Sequence, residues 1–495
     1  MSQRLPRRPA ERRGLRLWPV GIVLILAFST AVLVASSVFY SGWELLGARE
    51  LKPEHRIDSK TLFELVKLAF GVVAGSGALV ALVVAYRRQR VDEDGALRDT
   101  TRLHTERFTT AVSQLGDESA AVRLGGVHAL AGLADDAPNR GLRQTCIDVL
   151  CAYLRLPYTA ESDLPANDAE ARHAYLALRE VRRTIVRLIR DHLRLPLRHH
   201  HSWQGHDFDF TGVIFSGEDF SESVFSGGTV DFGGATFSGN AVDFSESVFS
   251  GGTVRFGGSR FSAADFSGSR FSGSAVDFSG SRFADGAVDF GGATFSSGTV
   301  RFGASVFSGG AVDFGGSTFS GGQVHFSRST FSGGTVDYVA STFSGGAVDF
   351  GGASFSGGTV RFGGTEFSGS TVHFDGSAFA SGAVEFGGST FSGGTVHFNR
   401  TTFSGGTVQF RGTAFSGSGA VEFSGSTFSG GTVHFGGSTF SSGAVDFSRS
   451  TFSGSTVDFS RSRGVAPPGL LPAAGSPLPY GLILPTAWQP TGPPV

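Results

Sequence analysis

Phe307-Ser-Gly-Gly-Ala-Val-Asp-Phe314-Gly-Gly-Ser-Thr-Phe319 is one unit of a pattern that fills half of a 495-residue chain. An aromatic returns at alternating intervals of five and seven: Phe290, Phe295, Phe302, Phe307, Phe314, Phe319, Phe326, Phe331. Residues 207–460 hold 43 of the 48 phenylalanines. So short and strict a period marks a solenoid, whose stacked coils share one continuous core. Val312 and Phe314 lie two apart, as do Ser317 and Phe319. On a strand such pairs share a face, so each Phe enters the core with a small or aliphatic partner while the residue just before it faces out. Gly-Gly and Ser-Gly supply the corners, where positive φ or minimal bulk is needed. The eight phenylalanines from Phe290 to Phe331 are therefore the expected structural core.

Irregularities show which step is geometric. Two residues are missing between Phe261 and Phe266, and one is added between Phe415 and Phe423, yet the aromatic order survives both. The unit thus reads as two pentapeptides plus two extra residues at a bulged corner. Asp209-Phe210-Thr-Gly-Val-Ile-Phe215-Ser-Gly-Glu-Asp-Phe220-Ser-Glu-Ser-Val-Phe225 runs without the extra pair and resembles the pentapeptide-repeat family. That resemblance implies a right-handed quadrilateral parallel β-helix with four pentapeptides per coil, here about 24 residues because of the insertions. A flat coil of about twelve residues is the competing geometry. Outward residues twelve apart (Asp289, Arg301, Asp313, His325, Asp337, Asp349, Arg361) pair opposite characters a little better than those 24 apart. Two facing phenylalanines would crowd a twelve-residue ring, so the four-sided coil is kept.

The rest of the chain is organised differently. Residues 18–40 are almost wholly apolar and long enough to cross about 30 Å of hydrocarbon. A second apolar run, Leu68 to Tyr86, carries Gly71, Gly75 and Gly77, which permit close helix approach. The expectation is a basic cytoplasmic N-terminus (1–17), transmembrane helix 1 (18–40), a short external loop (41–61), and transmembrane helix 2 with its basic flank (62–90). A cleaved signal peptide is the alternative for the first run, opposed by its length. Arginines before the first run and Arg87, Arg88 and Arg90 after the second place both termini in the cytoplasm of a two-span cell-membrane protein.

Residues 96–196 read as a small all-α domain, with helices at 141–155 and 170–194. Asp117 followed by Ala121-Val-Arg-Leu-Gly-Gly-Val-His-Ala-Leu-Ala-Gly-Leu133 resembles one HEAT-like motif. The order of segments is similar to that of actinobacterial membrane proteins with Phe-rich repeats. The tail, 461–495, carries nine of the seventeen prolines and is expected to be disordered, with Leu482-Ile-Leu484 and Trp488 as a possible binding segment.

Chemistry is sparse. Cys146 and Cys151 read as small core residues, and His199, His200, His201 and His206 as a solvated basic joint. No nucleophile elbow, phosphate loop or paired acid-base site is visible, so no enzyme, cofactor or metal is expected. Residues 207–460 hold 21 Asp plus Glu against ten Arg and no Lys, a formal −11. The remaining residues carry about +9, which suits an anionic lipid bilayer. The leading reading is a membrane-anchored, non-enzymatic scaffold with an unidentified protein partner and no direct nucleic acid. The alternative, implied by the family resemblance, is a DNA mimic that binds gyrase. An ice-binding surface built on Thr318, Thr330 and Thr342 is weaker, since β-propensity alone explains those residues.

Overall fold

The computed structural model describes residues 20–45, 58–158, 164–165, 168–284, 286–416, 420–440, 444–467, 470–471, 478 and 480–489. It divides into two compact units, Met1–Leu103 and His104–Val495. The expected N-terminus at 1–17 and most of the 41–61 loop lie outside the described residues.

Two helices make up the first unit: α1 (Val20–Leu45) and the greater part of α2 (Ser59–Leu115). Among the described residues no helix is long and apolar enough to cross a membrane. This overturns the two expected transmembrane helices and the two-span cell-membrane localisation. The second apolar run does not end at its basic flank. It belongs to one helix of 57 residues that continues through Arg87, Arg88 and Arg90 into a strongly polar half. α1 mixes its apolar side chains with Ser29, Thr30, Ser36, Ser37 and Ser41.

In the second unit, α3 (Ala120–Asp135), α4 (Arg140–Leu154) and α5 (Ala169–Arg194) follow the end of α2. Asn139 and Asp168 cap α4 and α5 by accepting from the Leu142 and Ala171 amides. Gly126 is required where α3 crosses α2, because a Cβ there would stand 2.6 Å from the Leu115 nitrogen. Val127, Leu130, Ile147, Leu150, Ile185 and Ile189 form the helical core. Cys146 and Cys151 lie within it as free thiols, and burial pushes them up to about 11 and about 12.

From Phe208 onward the chain is a right-handed parallel β-solenoid of about 11 turns. Its coil is the four-sided one of 24 residues. Strand partners along each face are 24 apart, as in Val288↔Val312 and Phe295↔Phe319. The missing pair shortens one step to Arg255↔Asp277, and the added residue lengthens another to His397↔Glu422. Register recovers after each change because the inward Phe, not the corner, sets the stacking. Strands Thr402–Gln409 and Thr427–His434 run through a corner and join the second and third faces into one 20-stranded sheet. Corners stack so closely that a Cβ on Gly334 would lie 2.1 Å from the Gly310 carbonyl oxygen.

All eight expected core phenylalanines are at most 1 % exposed. Phe290 stacks on Phe314, Phe295 on Phe319, Phe302 on Phe326 and Phe307 on Phe331, each pair with ring centroids 4.7 Å apart. One ring column thus runs down each face. Columns of the first and third faces meet edge to face across the core, as in Phe302 and Phe314 at 90°, while neighbouring columns meet tilted, as in Phe302 and Phe307 at 49°.

Both ends of this aromatic core are covered. α4 and α5 close the first coil: Arg182, 2 % exposed, donates to the Leu154 and Ile214 carbonyls at 2.6 and 2.8 Å. Arg155 pairs with Asp209, and Arg194 donates to the Ser221 carbonyl at 2.9 Å. Of the histidines read as a solvated joint, His199 and His200 are exposed and His201 is half-buried, as expected, whereas His206 is packed against the Trp203 carbonyl. Trp203 is fully buried, stacks on His192 at 4.2 Å and donates to Asp135 at 3.1 Å, while His206 is also buried. At the far end, Leu482–Ile483 pairs with Val457 and Asp458. Trp488 lies over Phe440 and Phe459 and donates to the Gly464 carbonyl at 2.8 Å. For these described residues the expectation of a disordered tail is corrected: its apolar segment binds the chain's own last coil.

Candidate interaction faces

The repeat uses nearly every polar group it buries. Ser317 precedes Phe319 by two, faces inward, and its hydroxyl donates to the Phe290 carbonyl at 2.8 Å. Ser281, Ser329, Ser341, Thr365 and Ser377 repeat the bond to Phe256, Phe302, Phe314, Tyr338 and Phe350. This hydroxyl ladder ties each coil to the one before it and gives a second donor to a carbonyl that already accepts a turn amide, as Phe290 does from Ala293 at 3.0 Å. Sequence reading saw only a small inward residue there.

The outward residue before each Val-side Phe also has a structural task when it is Asp. Asp289, Asp313 and Asp349 accept from the amides of Gly291, Gly315 and Gly351 at 2.6 to 2.7 Å. The carboxylate thereby caps the turn that follows, an Asx turn.

The 24-residue register sorts these outward residues into two columns. On the first face the order from Asp209 is Asp231, Arg255, Asp277, Arg301, His325, Asp349, His373, His397, Glu422, Asp446. Opposite charges alternate from Asp231 to Arg301, and Arg255 reaches Asp231 at 3.5 Å. Further along, His325 lies 3.5 Å from Asp349 and His397 is 2.7 Å from Glu422. The His325 bond is the main reason the Asp349 carboxyl sits well below the usual range.

The third face is different. Asp219, Asp243, Asp265, Asp289, Asp313 and Asp337 stack in register as an unbroken acidic row. With one strand step per coil the row spans about 24 Å. Arg190 of α5 pairs with Asp219 at one end, and Arg361 approaches Asp337 at 3.9 Å at the other. The four aspartates between them have no ion pair among the described residues. Burial raises the Asp289 carboxyl above its ordinary value, and the charges of Asp265 and Asp313 add to that rise. At twelve-residue spacing these aspartates were interleaved with Arg301 and His325, which hid the row.

At the joint His199 stacks on His200, and His201 is tilted against His200. Among the described residues no group of three or more His, Cys, Asp or Glu is placed to hold a metal ion.

The family model of pentapeptide repeats (9 copies) matches this chain over residues 210–260 and 227–269. No curated protein matches it. The matched residues form the first coils of a solenoid whose later coils keep the same inward Phe, inward hydroxyl and corner. The chain carries a pentapeptide-repeat β-solenoid.

Proposed function

We propose that the solenoid is a non-enzymatic protein-interaction module, and that its third face binds a basic segment of another protein. The observation that carries this reading is the acidic row from Asp219 to Asp337. Four like charges stacked one strand apart repel one another by roughly 1 kcal/mol per neighbouring pair in water. A partner presenting Lys or Arg at extended-chain spacing relieves that repulsion and gains charge-assisted bonds. The remaining surface offers less. The first face mixes signs and pairs several of its own charges, as in Arg255 with Asp231 and His397 with Glu422, and the aromatic core is closed at both ends.

The test uses the full chain with Asp265, Asp289 and Asp313 replaced together by Asn. Asn keeps an acceptor oxygen, so the Asx turns survive while three charges go. Proteins captured by the wild type at low salt should be released by added salt and not retained by the triple variant. Equal capture by both forms would sink the proposal.

The same row favours one second reading, mimicry of a DNA backbone toward a topoisomerase. Duplex DNA presents two charged strands, about one negative charge per 1.7 Å of axis. Here one row has a single charge per coil, and the first-face column is broken by Arg255 and Arg301. The protein partner is therefore preferred. Inhibition of gyrase supercoiling by the full chain, lost in the triple variant, would reverse the order.

A further inference from the structure

A cleft of about 390 Å³ lies between α5 and the first coil of the solenoid, lined among others by Glu180, Arg183, Arg187, Arg190, Glu218 and Asp219. Its charges divide into spoken-for and free. Arg190 and Asp219 form an ion pair. Glu218, 7 % exposed, accepts from the Ser216 amide and is the carboxylate that faces buried Arg182, whose own hydrogen bonds go to two neutral carbonyls. Arg183 also contributes to the field on Glu218, as the more exposed of its cationic neighbours.

What remains is Arg183 and Arg187 against Glu180, a surplus of one positive charge at the rim. Both arginines are exposed and make no hydrogen bond or ion pair among the described residues. They stand four apart on one helix, so their Cβ atoms are about 6 Å from each other on a single face. Two guanidinium forks at that separation match the several oxygens of a tetrahedral dianion better than a single carboxylate. Glu180, three residues before Arg183 on the same helix and also lining the cleft, is an acceptor for a hydroxyl or ammonium on the same ligand. The volume is of the size that small organic ligands occupy.

We infer that this cleft binds a small phosphate monoester that also carries a hydroxyl or amino group, with Arg183 and Arg187 gripping the phosphate. The site adjoins the acidic row, whose first member Asp219 lines the cleft but is held by Arg190, and it does not depend on what the other aspartates bind. It lies on the helical cap, at the end where the row begins.

The probe is O-phosphoserine, titrated calorimetrically into the full chain, with serine and inorganic phosphate as references. O-phosphoserine should bind more tightly than inorganic phosphate, and serine should not bind. Changing Arg183→Ala and Arg187→Ala together should weaken O-phosphoserine at least about tenfold. Both side chains are exposed, so the thermal midpoint of that variant should match the wild type. Arg282→Ala, an exposed arginine on the solenoid, should leave binding unchanged. The inference fails if O-phosphoserine binds no better than serine up to about 10 mM. It fails equally if the double variant binds as the wild type does, or if Arg282→Ala weakens binding as much. A phosphoserine-containing peptide that binds while the free amino acid does not would transfer the site to a protein ligand and overturn the small-molecule assignment.

Discussion

Replacing Phe314 by Ala tests the core where it is most regular. The ring is fully buried, stacks on Phe290 at 4.7 Å and on Tyr338 at 4.8 Å, and meets Phe302 and Phe326 edge to face. Deleting a buried Phe costs about 3–5 kcal/mol in transfer and cavity terms. This site belongs at the upper end, because two stacked neighbours lose their partner and corners packed too closely to admit a Cβ leave the coils little room to collapse. The damage should also be local, since a solenoid couples mainly nearest neighbours. Denaturant unfolding of the full chain gives the magnitude, and hydrogen exchange read by mass spectrometry gives its place. Protection should fall in the peptides around residues 290, 314 and 338 and persist around Phe410. Thr318→Asp on the fourth face should cost no more than about 0.5 kcal/mol. Equal losses from the two variants, or protection lost evenly along the solenoid, would refute the inward and outward assignment.

Other positions give sharper signs. Ala304 and Ala340 hold φ of 56° at corners where the preceding coil uses Gly280 and Gly316, so Ala304→Gly and Ala340→Gly should each stabilise by about 1 kcal/mol in the same unfolding assay. Tyr338 buries a hydroxyl with no partner in a column of phenylalanines, so Tyr338→Phe should raise stability by about 1 kcal/mol or more. At the joint, burial opposes protonation of His192, but its bond to Asp135 and the Leu188 carbonyl win and raise it above 6.5. Partial burial pushes Asp135 up, yet His192 and Trp203 hold it below 3.8. Their contribution is therefore complete between 3.8 and 6.5, lost as pH climbs through the raised His192 value and lost again as pH falls through the lowered Asp135 value. Melting temperatures from pH 6 to 8 should fall for the wild type and be flatter for His192→Asn.

Much of this was legible because the repeat is redundant. Each Phe announces its own inward position, and tens of agreeing units fix the strand, the corner and the coil. Interactions between coils were not legible in the same way, since they depend on which residues stand 24 apart. The Ser317 hydroxyl and the Phe290 carbonyl are 27 residues apart, and nothing local in the sequence joins them. The acidic row was visible only after the coil length was settled. At the ends, composition misled: nine prolines marked the tail as disordered, whereas Trp488 and Leu482 find an exposed aromatic coil to cover. Four histidines suggested a wet linker, which His199 and His200 are, but His206 is buried and Trp203 anchors the end of that segment between Asp135 and His192. The apolar N-terminal runs were read by local hydropathy alone, which cannot show that the second continues as one helix to Leu115.

The most direct test of the interaction reading places a photoreactive residue on each of two faces. Ala311 is exposed two residues before Asp313, so a cross-linker there lies beside the acidic row and leaves all six aspartates in place. Glu366 is exposed on the fourth face. The account predicts that cross-linked protein adducts form at position 311, are suppressed by salt, and are few at 366. Equal yields at the two positions, or adducts at 311 that salt does not touch, would contradict it.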